Sequence, residues 1–290
     1  MLSSTATYTA ALREVGQGQL VLRGAKDTPP NLASSVPGPS TLPISSQGPA
    51  ASRPALFTWS QLLDIVSTGN LQKLSRHPED LREYFAWIDQ IKLRYGSVHS
   101  YLLAEKLTAP KLIRKGKGTV HPAPLSKGFS EATCFQSHFV PGEDCQILVN
   151  DWPYSIPKDV THHVVWSHLP ILHRDLVDDA QFDSVTTDLA WAVIAKRGLC
   201  GTLSPLHGLQ IPSIHQHLVH LPTLLPENTD EAQKDRIGLA VKSACSHLVD
   251  FINTHWDLER HEACFFANPP SLQSVPSLAH FHVLIRPLSS

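Results

Sequence analysis

The chain has no Cys-x-x-Cys pair, no long apolar run and no excess of either charge. Its five cysteines, Cys134, Cys145, Cys200, Cys245 and Cys264, are odd in number and widely spaced, so neither a disulfide framework nor a thiolate zinc site follows from them. A reducing compartment fits that usage. No window approaches the roughly 18 apolar residues of a membrane span, and the N-terminus carries no apolar signal core. Lysine and arginine number 24 against 26 aspartates and glutamates, with no long basic stripe, which excludes the broad cationic face that nucleic acid requires. The one basic cluster, Lys111, Arg114, Lys115 and Lys117 around Gly116 and Gly118, is short and reads as a solvated loop. The expectation is a cytoplasmic protein with neither a nucleic-acid nor a membrane partner.

Residues 26–54 are rich in Pro, Ser and Gly and show no apolar periodicity. Such a tract cannot bury enough surface to offset the entropy of ordering it, so residues 1–55 are expected to be a disordered low-complexity tail. Residues 56–290 are then expected to form a single α+β domain. Thr58-Trp59-Ser60-Gln61 has the form of a capping box ahead of a short helix stopped by Gly69. Pro78, with Glu79 and Asp80 behind it, opens a longer helix whose apolar positions Leu81, Tyr84, Phe85, Ile88, Ile91 and Tyr95 form one stripe, and Gly96 ends it. Ser97 can cap a third helix, making residues 57–107 a helical module.

Past the basic loop, β-prone runs at 146–150 and 163–167 flank a Pro-containing turn and read as a hairpin. A helix over 187–197 is closed by Gly198, residues 199–228 read as an irregular Pro- and His-rich insertion, and a long helix is predicted over 230–253. Strands over 263–267 and 279–285 complete an order of helices, strands, helices and strands, which predicts an α+β fold with a mostly antiparallel sheet.

The last strand carries the most suggestive chemistry. Side chains alternate along a strand, so His280 and His282 share one face while Ala279, Phe281 and Val283 turn the other way. Two imidazoles beside the hydroxyls of Ser274 and Ser277 suit a phosphate, a metal, or hydrogen bonds within the fold. His162 and His163 point to opposite faces of their strand, so at most one joins the pair. No third or fourth metal ligand is fixed by spacing, and no metal or cofactor is implied. His215, His217 and His220 lie in the proposed insertion, as a solvated loop. Asn150, Asp151, Trp152 and Tyr154 combine polar groups with aromatic faces, which either stack a sugar or base or simply stiffen the turn.

These blocks carry a resemblance. Phe57-Thr58-Trp59, the segment from His77-Pro78-Glu79-Asp80 to Tyr95-Gly96-Ser97, Asn150-Asp151-Trp152-Pro153-Tyr154 with Val164-Val165-Trp166, and Ser271-Leu272-Gln273-Ser274-Val275 with His280-Phe281-His282-Val283 resemble the fungal family named for the N-acetylglucosamine-induced protein. It spans about residues 56–286. That resemblance implies a cytosolic protein that responds to amino-sugar supply in some members, and supplies no reaction. The late histidine segment is also similar, in part, to histidine-triad nucleotide hydrolases and transferases. By that similarity the sheet is histidine-triad-like, His280 is the nucleophile, His282 its phosphate-binding neighbour, Ser274 a phosphate contact, and Asn150 or Asp151 a ribose contact. The chain departs from the pattern in two ways: Leu278 stands where the first histidine is usual, and one extra residue separates Ser274 from the histidines, which a bulge can absorb.

The sequence therefore points to a nucleotide or phosphorylated sugar bound between the Asn150-to-Tyr154 turn, with Trp152 at its centre, and the His280 and His282 strand, and to its hydrolysis or transfer through His280. The alternative is a non-catalytic regulatory or protein-interaction role in the amino-sugar response, using the helical module or residues 199–228 to hold a protein partner. Whether the protein is an enzyme stays open at this level.

Overall fold

In the structure, a computed structural model that describes residues 53–107, 131–177 and 180–288, the first helix of the described residues opens through a reciprocal cap. Thr58 Oγ1 accepts the Gln61 amide at 3.3 Å while Gln61 Oε1 accepts the Thr58 amide at 2.8 Å, which satisfies two helix-end donors at once. Helix α1 (Trp59–Ser67) ends before Gly69, whose φ of 69° suits glycine. A 3-10 turn (Leu71–Lys73) leads into α2 (Pro78–Tyr95), which has Pro at its start, acidic residues in its first turn and Lys92 and Arg94 in its last. Ser97 caps the short α3 (Val98–Tyr101), and a π-helical turn (Leu102–Lys106) continues it.

The remaining elements build one sheet with helices on both faces. Strands β1 (Cys145–Val149) and β2 (Thr161–Ser167) precede α4 (Ser184–Arg197); β3 (Leu199–Ser204) and β4 (Gly208–Gln210) precede α5 (Ile214–His220), α6 (Glu231–Ser243) and α7 (Ser246–His255); β5 (His261–Ala267) and β6 (Ala279–Pro287) close the chain. The six strands lie in the order β1-β2-β6-β5-β3-β4 and every pairing is antiparallel. The α+β class and the antiparallel sheet are as the pattern of elements predicts.

Alternation divides the sheet into two unlike faces. Val165, Phe265, Phe281 and Val283 pack against α4, α6 and α7 in the larger core. On the opposite face Cys200, Cys264, Phe266 and Leu284 are covered by Trp59, Leu62, Ile65 and Val66 of α1. Beside them, α2, α3 and the π-helical turn lay Ile91, Tyr101 and Leu102 over the β1–β2 end, near Leu148 and Trp166. The N-terminal helices are thus one wall of the fold, joined to the sheet by buried apolar contact.

Several expectations need correction. Residues 199–228 are not an irregular insertion: they hold β3, β4 and α5, with β3 paired to both β4 and β5. Its first five residues are all buried, so it lacks the polar alternation that marks a half-exposed strand. Gly201 fits because a Cβ there would come within 2.8 Å of the Gln210 carbonyl. The His-rich run is helix, not solvated loop; His217 is buried and His215 lies 3.3 Å from Glu231. The long helix over 230–253 is two helices, because the Cys245 amide bonds to Lys242 O at 3.1 Å and tightens the turn between them. Helix α4 starts earlier than 187, where Asp183 Oδ1 accepts the Thr186 amide at 2.9 Å. The proposed tail, up to residue 52, and the basic cluster at Lys111, Arg114, Lys115 and Lys117 lie outside the described residues.

Candidate functional site

Register places three histidines on the face covered by the N-terminal helices. On β6, His280 stands opposite Trp166 and His282 opposite Val164; His162 lies one alternation further along β2, opposite Leu284. The three imidazoles form a row. His162 Nε2 is 2.9 Å from His282 Nδ1, and the His280 and His282 ring centres are 5.3 Å apart. Tyr154 stacks on His162 at 5.5 Å, Phe266 on His282 at 4.7 Å, and Trp166 tilts against His280 at 4.6 Å.

All three rings are held in the neutral state. Burial pushes His162 down to about 3, with the positive charge of Arg76 and then the neighbouring His163 adding to it. Burial likewise holds His282 well below the usual imidazole value, helped by His162, His280 and Arg76. His280 is lowered by burial and pulled partly back by its hydrogen bond to the Leu278 carbonyl. That bond, 2.7 Å from His280 Nδ1, decides the tautomer. A ring nitrogen facing a carbonyl must carry the proton, so Nε2 of neutral His280 carries the lone pair.

His280 and His282 form the floor of a cavity of about 180 Å³, with His162 buried behind His282. Its helical wall is aromatic, with Tyr84 and Trp87 from α2 and Tyr101 from α3; Trp152 and Tyr154 close another side, and Asn268, Ser274 and Val275 line the rim before β6. Trp152 packs on Tyr84 and Trp87 with ring centres 5.5 and 5.6 Å away. Lys106 Nζ is 2.8 Å from Asp151 Oδ2, so these two charges offset each other. Arg76 also lines the cavity, with its guanidinium 4.4 Å from the Tyr84 ring centre. Among the described residues no group of three His, Cys, Asp or Glu is placed to hold a metal ion.

Residues 58–190 and 212–286 match the model of a family described as a protein of unknown function (DUF3605). The chain belongs to that family. The match takes in every cavity-lining residue named above, and the stretch it leaves out, residues 191–211, contains β3 and β4 on the far side of the sheet from β1. No curated protein matches the chain. A solved structure titled as the crystal structure of HTC1 aligns over 79% of this chain and 85% of its own, at 18% sequence identity and a TM-score of 0.38.

In this member of the family the sequence-predicted site residues fall as follows. His280, His282, Asn150, Asp151, Trp152, Tyr154 and Ser274 all line the one cavity. Of the adjacent pair, His162 joins the row and His163 turns to the other face, against Trp256 at 5.4 Å. Within the turn the roles are mixed. Asn150 Oδ1 accepts the Trp152 amide at 2.9 Å, Trp152 and Tyr154 are buried in packing, and Asp151 is paired with Lys106. Ser277 is directed away from the row, onto His99 Nδ1 at 2.8 Å. Sequence reasoning missed Arg76, Tyr84, Trp87, Tyr101, Lys106, Trp166 and Asn268 as cavity residues. The aromatics of α2 and α3 carried a signal, an apolar stripe, that does not distinguish a core from a cavity wall. Among the described residues no helix is long and apolar enough to cross a membrane.

Proposed function

We propose that the cavity binds a small phosphorylated ligand, a nucleotide or a phosphorylated sugar, in the cytoplasm, and that His280 is the residue placed to react with it. The observation that carries this reading is the His280 Nδ1 contact with Leu278 O at 2.7 Å, which leaves the Nε2 lone pair as the free edge of a cavity-lining imidazole. Aromatic walls suit the flat face of a base or the C–H face of a sugar ring. The resemblance to the N-acetylglucosamine-induced family favours an amino-sugar phosphate among the candidates, and the partial histidine-triad pattern favours attack at phosphorus.

In that chemistry the Nε2 lone pair forms a P–N bond while the P–O bond to the leaving group breaks, its electron pair departing on that oxygen. Water then attacks phosphorus, the P–N pair returns to Nε2, and the water proton passes to the departing oxygen or to solvent. His282 and His162 keep one N–H between them, so the pair acts as a neutral hydrogen-bonding platform beside the reacting ring. Leu278, where the histidine-triad pattern has its first histidine, supplies a backbone carbonyl to His280 instead of a third imidazole from the same strand. The third imidazole comes from β2, as His162.

Calorimetric titration of AMP, a uridine diphosphate sugar and N-acetylglucosamine 6-phosphate tests binding, and product analysis with His280→Asn tests turnover. Binding of at least one, with any turnover lost in the variant, supports the reading; no heat with any of them ends it.

A further inference from the structure

We propose that Arg76 is the anion anchor of the cavity and that the group it takes is a phosphoryl group of the ligand. This rests on the phosphorylated-ligand reading and assigns the phosphate to the side of the cavity where Arg76 and His282 accompany His280.

Arg76 lies in the connection between the 3-10 turn and α2, where no periodic pattern draws attention to it. The connection is fixed by contacts with the Trp152–Ser155 loop. The Ser155 amide donates to Ser75 O at 3.0 Å, and Arg76 itself donates to Trp152 O from Nε at 3.1 Å and from Nη2 at 2.6 Å. Two bonds to one carbonyl orient the guanidinium plane. The rings of Tyr84 and Tyr154 then flank it, with centres 4.4 and 5.4 Å from Cζ. One guanidinium edge is thereby committed to the protein, and the Nη1 hydrogens with one on Nη2 are left for another partner.

The charge balance points to what that partner is. Among the described residues no carboxylate pairs with Arg76, and the cavity's own carboxylate, Asp151, is taken by Lys106. The three imidazoles are neutral, as their burial requires. The partly buried Arg76 guanidinium has no counter-charge among the described residues, and its free edge matches two oxygens of a phosphoryl group. Neutral His282, which lines the cavity, adds a hydrogen-bonding group without adding charge. A carboxylate ligand would meet the same edge, so the discriminating comparison is between phosphorylated and unphosphorylated forms of one molecule.

The test compares AMP with adenosine, and N-acetylglucosamine 6-phosphate with N-acetylglucosamine, on the wild-type chain, Arg76→Gln and Arg76→Lys. For whichever pair binds, the phosphorylated form should be favoured by about 10-fold or more in the wild type, and Arg76→Gln should abolish that preference, since a charged hydrogen bond carries roughly that factor. Arg76→Lys should keep part of it. Because Arg76 also braces the loop, a wild-type measurement accompanies the variants: the arginine Nε–H nitrogen resonance that disappears in Arg76→Lys should shift on addition of inorganic phosphate. Phosphorylated ligands that bind wild type and Arg76→Gln equally, or an unmoved Arg76 resonance, would overturn the anchor and leave the cavity reading standing. Absence of all binding to the wild type would overturn both.

Discussion

His162 Nε2 and His282 Nδ1 meet at 2.9 Å although 120 residues separate them in the chain. Their contact joins two strands behind the cavity surface of His282 and ties the stability of the fold to the state of two imidazoles. Both rings are neutral because burial and neighbouring positive charge make protonation unfavourable.

That linkage predicts a loss of stability in mild acid. In the unfolded chain each histidine takes a proton near 6.5, whereas folded His162 does so only near 3. Below pH 6.5 the unfolded state therefore binds more protons, and stability, full above that pH, falls as pH drops toward 3. Each such histidine contributes a slope approaching about 1.4 kcal/mol per pH unit. The exposed carboxylates Glu79, Asp159, Asp183 and Glu231, also lowered, act at more acid pH, so the interval from pH 6.5 to 5 isolates the imidazoles. Urea denaturation at pH 7 and pH 5 measures it. Equal midpoints would show that the pair is not buried neutral.

A second prediction separates two roles for Asp151. If it holds Lys106, as the 2.8 Å ion pair indicates, Asp151→Asn releases a second cation into the cavity. Affinity for phosphorylated ligands should then rise severalfold, while stability changes by no more than about 1 kcal/mol, as for a partly exposed pair. If Asp151 instead contacts the ligand, affinity falls. Titration of the variant beside the wild type decides between them.

The shared face of His280 and His282 was legible because strand alternation has a fixed period, and the caps at Thr58 and Ser97 because they use local chemistry alone. His162 was legible only as one of two choices, since which neighbour faces the row depends on register with a strand far away in sequence. Arg76 was not legible at all. Its role comes from a carbonyl 76 residues further on, and a lone arginine in a connection has no pattern to betray it. Strand β3 was hidden for a different reason: it is buried on both faces and contains Gly201, so it offers neither alternation nor uniform β propensity.

Gly198 is predicted to be far less replaceable than Gly96. Both have positive φ, 74° and 79°, and both close a helix. A Cβ at Gly96 meets nothing within 4 Å, so Gly96→Ala should cost about 1–2 kcal/mol for the left-handed backbone alone. At Gly198 the same atom would lie 2.2 Å from the Ala267 carbonyl oxygen and 3.0 Å from Pro269 Cδ. The joint between α4 and β3 would have to move, together with the segment that leads to Asn268 at the cavity rim. Gly198→Ala should therefore cost more than about 4 kcal/mol or prevent folding. Thermal denaturation of the two variants side by side tests the ranking, and similar costs would refute it.

The five cysteines offer a way to ask whether the N-terminal helices undock separately from the rest. All are buried free thiols; burial pushes Cys145 and Cys245 up to about 12 and raises the others, so none should react with a thiol reagent in the native state at neutral pH. They lie in two cores. Cys200 and Cys264 sit under α1, while Cys134, Cys145 and Cys245 belong to the opposite face. Leu62 of α1 is fully buried against the first pair, and Leu62→Ala should cost about 2–5 kcal/mol. If α1 can lift while the sheet and its other helices stay folded, that loss appears as faster labelling of Cys200 and Cys264 alone, read by mass spectrometry of the peptides. If the N-terminal wall and the sheet open as one cooperative unit, all five thiols accelerate together. The first outcome would make α1 an independent opening unit, separate from α2 and α3, which wall the cavity. The second would make α1 and the sheet beneath it one folding unit.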